Sequence, residues 1–214
     1  MGVRVRQHVN PLSLKFQHAI APPNWSAIYA NPNQPLFLDI GCARGQFLLG
    51  MAQLQPHHNF LGIEIRQPLV QSANQQRETL QLHNLHYLFG NINRSLTSLL
   101  GPNSLQGATI QFPDPWFKRR HQKRRVVQPE LVAALAICIQ PGGFVLIQSD
   151  VLEVAAEMRD RIAEQPAFQP TRSPEDWLQD NPLPVPTERE QLTLSQGLPV
   201  YRSLFRRADE RPPS

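Results

Sequence analysis

The chain of 214 residues contains only two cysteines, few charged residues and no long apolar run. Cys42 and Cys138 lie in apolar segments without a CxxC or CxxH spacing, so the sequence predicts buried free thiols and no metal site. No apolar run reaches the ~18 residues that a membrane span requires, and the N-terminus has no apolar signal-peptide region. These absences predict a cytoplasmic protein of about one domain, without a membrane anchor.

The basic residues are distributed unevenly along the chain. Of the 21 basic residues 18 are arginine, the side chain suited to bidentate phosphate contacts, and no acid precedes Asp39. Residues 118–125, KRRHQKRR, contain six cations and one histidine, and no acid lies between Pro115 and Gln128. We call residues 118–125 the basic segment. So dense a positive charge repels itself unless it is solvated or paired with an anion, so both a surface loop and a nucleic-acid contact fit it.

Short apolar runs alternate with segments of helical periodicity from residue 35 onwards. Strands are predicted at residues 36–40, 60–65, 85–89, 108–112, 144–148 and 200–206, and helices at residues 46–54, 68–82, 129–139 and 152–163. This alternation predicts an α/β domain over residues 35–214, with a doubly wound, mostly parallel sheet and helices on both faces. Residues 165–186, with six prolines, are predicted to be mostly loop, and residues 1–34 a basic, partly disordered extension.

The turn after the first predicted strand, LDIGCARG, has the character of a ligand site. It places Asp39 near the end of the strand, followed by Gly41 and by Gly45 at the start of a helix. Glycine lets the backbone turn sharply and approach a ligand, although a tight turn without a ligand fits the same residues. Glu64, at the end of the second strand, favours a ligand because an acid there can accept hydrogen bonds from both ribose hydroxyls. Since the spacing does not match the G-x-G-x-x-G of NAD sites, the two acids suit S-adenosylmethionine, with its cationic amino group and neutral ribose.

The fourth predicted strand leads into the most specific segment of the chain, QFPDPWFKRRHQKRR. Pro113 and Pro115 restrict the backbone on both sides of Asp114 and hold its carboxylate at the carboxyl edge of the sheet. Trp116 either packs under the loop or offers a flat apolar surface to a ligand. A carboxylate between prolines, followed by six cations, is not required for folding and therefore indicates a nucleic-acid substrate.

All fixed positions of the pattern PDPW-x-K-x-RH-x-KRR are present between Pro113 and Arg125. On this motif the chain resembles the tRNA (guanine-N7)-methyltransferases of the TrmB type, over roughly residues 35–207. The resemblance implies a class I methyltransferase (Rossmann-like) fold with an antiparallel C-terminal strand, and S-adenosyl-L-methionine as cofactor. It also implies a cytoplasmic monomer or homodimer that binds tRNA and methylates N7 of the variable-loop guanine at position 46, forming 7-methylguanosine.

The resemblance further implies roles for individual residues. Asp114 would be catalytic and also close to the cofactor. The cofactor would otherwise be bound by two acids, two turn glycines and an asparagine: Asp39, Gly41, Gly45, Glu64 and Asn91. The tRNA would be bound by residues of the basic segment and of two later motifs: Lys118, Arg120, His121, Lys123, Arg124, Arg125, Asp150, Thr187 and Glu190.

Methylation at N7 of guanine needs no general base, because this nitrogen carries a free lone pair in neutral guanine. The reaction accordingly requires no His–Asp dyad or reactive cysteine, so Cys42 and Cys138 can be core residues. Guanine becomes cationic as the methyl group arrives, so nearby carboxylates, Asp114 first and then Asp150 or Glu190, are the groups expected to stabilise it.

Three positions depart from the family pattern. Ala43 stands where the glycine turn usually has its middle glycine, and its methyl group is expected to be tolerated only at negative φ, with reduced cofactor affinity as the risk. Ser149 replaces a common threonine, and Arg189 replaces a common aromatic between Thr187 and Glu190. Two other classes stay open: a methyltransferase for a small molecule or protein, which would not need the basic segment, and a non-catalytic RNA-binding protein with a degenerate cofactor turn.

Overall fold

The computed structural model of the protein describes residues 9–173 and 176–209. The strands are β1 (Leu36–Ile40), β2 (Asn59–Glu64), β3 (Leu85–Phe89), β4 (Leu105–Gln111), β5 (Ile139–Ser149), β6 (Phe168–Pro170) and β7 (Tyr201–Arg207). The α-helices are α1 (Trp25–Ile28), α2 (Gln46–Leu54), α3 (Gln67–Thr79), α4 (Leu96–Leu99), α5 (Pro129–Cys138), α6 (Leu152–Ala163) and α7 (Glu188–Ser195), with 3₁₀ turns at Leu14–Phe16, Ile92–Arg94 and Arg119–Arg124.

The strands form one seven-stranded sheet in the order β3-β2-β1-β4-β5-β7-β6. Strands β1 to β5 are parallel to one another, whereas β7 pairs antiparallel with β5 and β6 pairs antiparallel with β7. The predicted doubly wound, mostly parallel sheet with an antiparallel C-terminal strand is therefore confirmed. Because the strand order reverses between β1 and β4, a crevice is expected outside the carboxyl ends of these two strands.

Helices cover both faces of the sheet, because neighbouring strand residues point to opposite sides. Leu61 packs in the cluster that includes residues of α4, α5 and α6, whereas Phe60 packs in the cluster with α2 and α3. The parallel strands are therefore buried on both sides, which explains why they appear in the sequence as continuous apolar runs. Cys42 and Cys138 are buried free thiols within these two clusters, as predicted.

The N-terminal part of the chain is more structured than its composition indicates. Phe16 and Tyr29 are buried, and the Tyr29 hydroxyl donates a hydrogen bond of 3.0 Å to the carbonyl of Phe60. Residues 9–34 thus pack on the domain instead of forming a partly disordered extension; the other part of that prediction, residues 1–8, lies outside the described residues.

Two further regions differ from the sequence prediction. Helix α5 ends at Cys138, and β5 begins at Ile139 and runs through Pro141-Gly142-Gly143, five residues before the predicted start of this strand at 144. Strand β6 lies inside the proline-rich segment predicted as loop, and α7 has no counterpart in the predicted elements. Strand β6 forms by pairing with β7, whereas α7 begins with a local capping box of Thr187 and Glu190 that the sequence prediction did not use.

Candidate active site at the carboxyl edge of the sheet

A cleft opens at the carboxyl ends of the parallel strands, on both sides of the β1–β4 reversal. Its volume is about 140 Å³, roughly ten times the ~10–15 Å³ that one buried water requires, so it can take part of an organic ligand. Five of the predicted site residues line it: Gly41, Glu64, Asn91, Asp114 and Arg124. The other predicted residues lie behind the wall of the cleft or on the surface around it.

The glycine turn shapes one wall of the cleft. Gly41 and Gly45 have φ values of +79° and +75°, in the left-handed region that favours glycine. No atom lies within 4 Å of the position that a Cβ of Gly41 would take, so this glycine leaves space open in the cleft. A Cβ on Gly45 would lie 2.5 Å from the ring of Tyr87, whose hydroxyl donates a 2.7 Å hydrogen bond to the Gly45 carbonyl. The sequence analysis missed Tyr87, which supports the turn from behind.

The expectation that Ala43 has a negative φ in this turn is wrong, because its φ is +49°. The left-handed conformation costs a non-glycine residue roughly 1–2 kcal/mol. In this conformation the backbone N–H of Ala43 donates to Glu64 Oε2 at 3.0 Å. The strained turn is therefore tied directly to the acid at the end of β2.

Glu64 is almost completely buried, at 3% exposure, and four hydrogen bonds surround its carboxylate. Two come from backbone N–H groups, of Ala43 at 3.0 Å and of Arg66 at 2.9 Å. The other two come from the Arg66 guanidinium, from Nε and Nη2, each at 3.0 Å. Arg66, which the sequence analysis did not single out, lines the same cleft.

Asp39 lies behind the wall of the cleft and has a very different environment. Its Oδ1 accepts hydrogen bonds from Thr109 Oγ1 at 2.6 Å and from Gln111 Nε2 at 3.2 Å. Burial raises the pKa of Asp39 to about 6, against the lowering effect of these two hydrogen bonds and with a further contribution from the charge of Glu64. A buried acid with only neutral donors favours a cationic ligand group nearby.

Asn91 connects the cleft to the N-terminal part of the chain. Its Nδ2 donates to the carbonyls of Pro11 and Phe16, each at 3.2 Å, and its Oδ1 accepts from the N–H of Asn93. Val9 and Pro11 consequently line the cleft as well. The sequence offered no signal for this contact, because its partners are about 80 positions apart.

Asp114 follows β4 and is half-buried in the cleft, as its flanking prolines predicted. Two non-glycine residues beside it, Phe112 and Trp116, have φ values of +48° and +43°. Backbone strain of this kind costs of order 1–3 kcal/mol per residue and occurs preferentially at functional sites. Together with Ala43, these residues place three strained positions around one cleft.

The basic segment forms a 3₁₀ helix, Arg119–Arg124, beside the cleft. Its exposed cations are Lys118, Arg119, Arg120 and Lys123. Arg124 instead lies over the Trp116 ring at 5.0 Å from the centroid, and the ring of His121 contacts Trp116 edge-on. Desolvation and the charges of Arg124, Arg120 and Lys118 lower the pKa of His121. The basic segment thus reaches the cleft through Arg124, on the side of Asp114 and Trp116.

The structure does not support the expectation that every cation of the basic segment contacts RNA, because Arg125 is buried. Its side chain is 5% exposed, and its Nε donates to the carbonyl of Pro115 at 2.8 Å. The guanidinium pairs with Glu153 at 2.8 Å and also with Glu157, both on α6. Because these contacts surround the guanidinium, we remove Arg125 from the proposed RNA-binding residues and assign it to anchoring the PDPW loop.

Asp150, Thr187 and Glu190 lie together near the end of β5, but their side chains bond to the protein. Arg189 donates to Asp150 Oδ2 at 2.9 Å, which explains the arginine at this departure from the family pattern. Thr187 and Glu190 form the capping box of α7, and Glu190, at 1% exposure, pairs with Arg202 at 2.6 Å. The Glu190 carboxylate is therefore a buried structural group, contrary to the expected contact with the target guanine.

A buried chain of hydrogen bonds joins this region to Asp39. Gln148 Nε2 donates to Glu190 Oε2 at 3.1 Å and to Gln111 Oε1 at 2.8 Å, and Gln111 donates in turn to Asp39. Gln111 and Gln148 are register partners on β4 and β5. Two glutamines at the ends of adjacent predicted strands were the only sequence signal for this network.

The chain has the fold of the class I methyltransferases. Among solved structures, the chain is similar to a 16S rRNA (adenine(1408)-N(1))-methyltransferase from Catenulisporales acidiphilia, with 14% identity, a TM-score of 0.60, and 89% of this chain and 92% of that chain covered. It is also similar to a SAM-dependent O-methyltransferase from Thermotoga maritima, with 13% identity, a TM-score of 0.56, and 87% and 63% covered.

Sequence relatives define the family. A family model described as "Putative methyltransferase" matches residues 33–203. The chain is 60% identical over 207 residues to a tRNA (guanine-N(7)-)-methyltransferase of Thermosynechococcus vestitus, covering 97% of this chain and 96% of that protein. It is 59% identical to the protein of the same name from Microcystis aeruginosa, covering 95% and 98%. The chain therefore belongs to the family of the tRNA (guanine-N(7)-)-methyltransferases, as its PDPW motif predicted.

Proposed function

We propose that this protein transfers a methyl group from S-adenosyl-L-methionine to N7 of a guanine in tRNA, the variable-loop guanine at position 46. The observation that carries the proposal is the position of Asp114. Its carboxylate lies in one cleft with Glu64 and Gly41 of the glycine turn, Arg124 lines the same cleft, and the exposed cations of the basic segment directly precede Arg124 in the chain.

The residues of the cleft fit the cofactor. Gly41 leaves open the space that a side chain would fill, and Glu64 supplies carboxylate oxygens suited to ribose hydroxyls. Asp39 places a buried negative charge behind the turn, which suits an amino group. When bound, S-adenosylmethionine supplies an electrophilic methyl group on a sulfonium sulfur.

The protein then contributes orientation and charge. Holding the guanine in a productive orientation is worth ~7–11 kcal/mol in favourable systems. Asp114 accepts hydrogen bonds from guanine N1–H and N2–H and stabilises the positive charge that develops on the base. Lys118, Arg120 and Lys123 hold phosphates and position the RNA without reading its sequence. Asp150, half-buried near the mouth, remains a candidate substrate contact, as does Arg124 above Trp116.

The proposed reaction also indicates a macromolecular partner and a cellular location. We infer that tRNA is the macromolecular partner and that the protein acts in the cytoplasm as a monomer or homodimer. No helix among the described residues is long and apolar enough to cross a bilayer. The described residues also contain no group of three or more His, Cys, Asp or Glu side chains placed to hold a metal.

The position of the basic segment bears on the two alternative classes. A methyltransferase for a small molecule or protein has no need for exposed cations around the cleft, yet Arg124 lines the cleft and its neighbours are exposed. A non-catalytic RNA-binding protein would not need a strained turn bonded to Glu64. Calorimetric titration with S-adenosylhomocysteine separates the catalytic proposal from this second alternative.

The decisive experiment is methyl transfer to an unmodified tRNA transcript, followed by mapping of the modified base. We expect 7-methylguanosine at position 46. A transcript with adenine at that position serves as the matched control and should accept no methyl group. Transfer to another base or another atom would overturn the proposal, and transfer only to non-nucleic acceptors would favour the small-molecule or protein alternative.

A further inference from the structure

The carboxylate of Glu64 has no acceptor position left for a ribose. An ionised carboxylate offers about four lone-pair sites. The backbone N–H groups of Ala43 and Arg66 occupy one site on each oxygen, and Arg66 Nε and Nη2 occupy another on each. A ribose that donates two hydrogen bonds to Glu64 must therefore displace two of these donors.

Of these donors, the guanidinium is the one that a ribose can displace most readily. The Ala43 N–H belongs to the strained turn, whose neighbours Gly41 and Cys42 donate to the carbonyl of Ile63 in β2 at 2.8 and 3.3 Å. The Arg66 N–H is held because Arg66 is the residue from which α3 begins. The Arg66 side chain, by contrast, is 25% exposed and lines the open cleft, so it can rotate into solvent.

The released guanidinium remains a cation at the mouth of the cleft. A guanidinium stays protonated in proteins, so Arg66 keeps its charge after it leaves Glu64. In the cofactor-free protein burial lowers the pKa of Arg66, but the hydrogen bonds and charge of Glu64 and the charge of Asp114 outweigh burial and raise it. Arg66 is thus close enough to both acids to feel their charges, and it lies in the cleft that Arg124 also lines. When the Arg66 guanidinium leaves Glu64, it therefore lies beside the proposed RNA-binding surface.

We propose that Arg66 couples the binding of the two substrates: it closes the ribose position of Glu64 in the cofactor-free protein, and it binds a tRNA phosphate once the ribose has displaced it. This proposal rests on the proposed function. Because binding free energies are reciprocal, the cofactor then strengthens tRNA binding by the same factor as tRNA strengthens cofactor binding. Typical couplings of this kind are ~5–150-fold.

Salt titrations of tRNA binding provide a specific test, with S-adenosylhomocysteine as the cofactor probe. One additional phosphate contact steepens the plot of log affinity against log salt by ~0.7–0.9. We expect S-adenosylhomocysteine to produce this steepening, and a tighter tRNA complex, in the wild-type protein. Arg66→Ala should lose both effects, and without tRNA it should bind S-adenosylhomocysteine about 5-fold or more tightly than wild type, because the competing guanidinium is gone.

Two further variants make the test selective. Arg44→Ala removes an equal charge from an exposed position in the glycine turn after β1, and this variant should retain the coupling. Arg66→Lys keeps the cation but cannot form the two-point contact with Glu64, so it should bind S-adenosylhomocysteine more tightly than wild type and keep part of the salt effect. This variant also tests the proposal if Arg66→Ala fails to fold, which a melting curve would reveal.

The outcomes separate this proposal from the proposed function. If the wild-type protein methylates tRNA but Arg66→Ala and Arg66→Lys bind S-adenosylhomocysteine no more tightly and keep the full coupling, the role of Arg66 is refuted and the function stands. If the wild-type protein binds no S-adenosylhomocysteine and methylates no tRNA, both are refuted.

Discussion

Asp39 and Glu64 end neighbouring parallel strands, but their surroundings differ in charge. Glu64 has a guanidinium and two backbone donors, so its negative charge is compensated. Asp39 has only a hydroxyl and a carboxamide as donors, and burial raises its pKa to about 6. The protein thus keeps an uncompensated acid behind the turn, which destabilises the fold when ionised and favours a cationic ligand.

The raised pKa of Asp39 predicts a specific pH dependence of stability. The native state binds this proton more tightly than the unfolded chain, so the stability falls as pH rises from about 3.8 to about 6 and stays lower above that range. The loss amounts to ~3 kcal/mol at most, at ~1.4 kcal/mol per pH unit. Asp39→Asn removes the titration and should therefore be more stable than wild type at pH 7.5, but not at pH 4. Urea unfolding at both pH values measures this, and a stability difference independent of pH would contradict the assignment.

Asp114 provides the second prediction for a single residue. Asp114→Asn keeps the shape of the side chain and removes its charge, so the developing positive charge on guanine loses its nearest carboxylate. We expect kcat for tRNA methylation to fall on the order of 10²-fold or more. The dissociation constant for tRNA, measured by filter binding, should change little because phosphates provide most of the affinity. Near-normal turnover would show that Asp114 only shapes the turn.

The basic segment divides into exposed and buried cations at the scale of the element. Arg120 and Lys123 are exposed, whereas Arg125 is enclosed by the Pro115 carbonyl and two acids of α6. The sequence motif is continuous, but the 3₁₀ helix directs successive side chains to different sides. The residues of the motif therefore have two different roles: some are proposed to contact RNA, and Arg125 anchors the loop.

Because of these two roles, substitutions within the basic segment should affect either tRNA binding or the stability of the fold. Arg120→Ala combined with Lys123→Ala should flatten the salt dependence of tRNA binding by ~1.4–1.8 units, at ~0.7–0.9 per phosphate, with an unchanged melting temperature. Arg125→Ala should lower the free energy of unfolding by ~1–3 kcal/mol, because it leaves the Pro115 carbonyl and the partly exposed Glu157 without their partner. Filter binding and melting curves of both variants distinguish them. An unchanged salt slope in the double variant would mean that these cations are merely solvated.

The whole sheet brings together residues that are far apart in sequence. The carboxyl ends of β1, β2, β3 and β4 contribute Gly41, Glu64, Asn91 and Asp114 to one cleft. Since the proposed cofactor contacts come from the ends of four different strands, ligand binding should stabilise the entire domain.

This link predicts a ligand-dependent melting temperature. S-adenosylhomocysteine at 100 times its Kd should stabilise the protein by ~2.7 kcal/mol, which corresponds to a rise in melting temperature of roughly 5–10 °C for a domain of this size. Glu64→Gln should lose most of this rise, because hydrogen bonds to the charged carboxylate are worth ~1.5–3 kcal/mol. The comparison of melting curves with and without ligand corrects for any change in intrinsic stability. An equal rise in the variant would refute the ribose assignment of Glu64.

The regular elements could be predicted because their signals are local. β1 and β3 have the predicted bounds, and α2 and α6 also match, since apolar periodicity and flanking glycine or proline define them. By contrast, β6 forms only because β7 lies beside it, and α7 depends on the capping box together with the buried pair of Glu190 and Arg202. The capping box is a local signal that the prediction missed, whereas β7 and Arg202 are partners that a local window does not contain.

By itself the sequence determined the fold class, the family motif from Pro113 to Arg125 and the acids Asp39, Glu64 and Asp114 at the edge of the sheet. Only the tertiary structure decided which of these groups face the cleft and which are bonded inside the protein. Arg125 pairs with Glu153 across 28 positions, and Asn91 binds Pro11 across 80. The reason is physical: an element's periodicity is encoded locally, whereas the partner of a buried charge or amide is chosen by distances that exist only after the chain has folded.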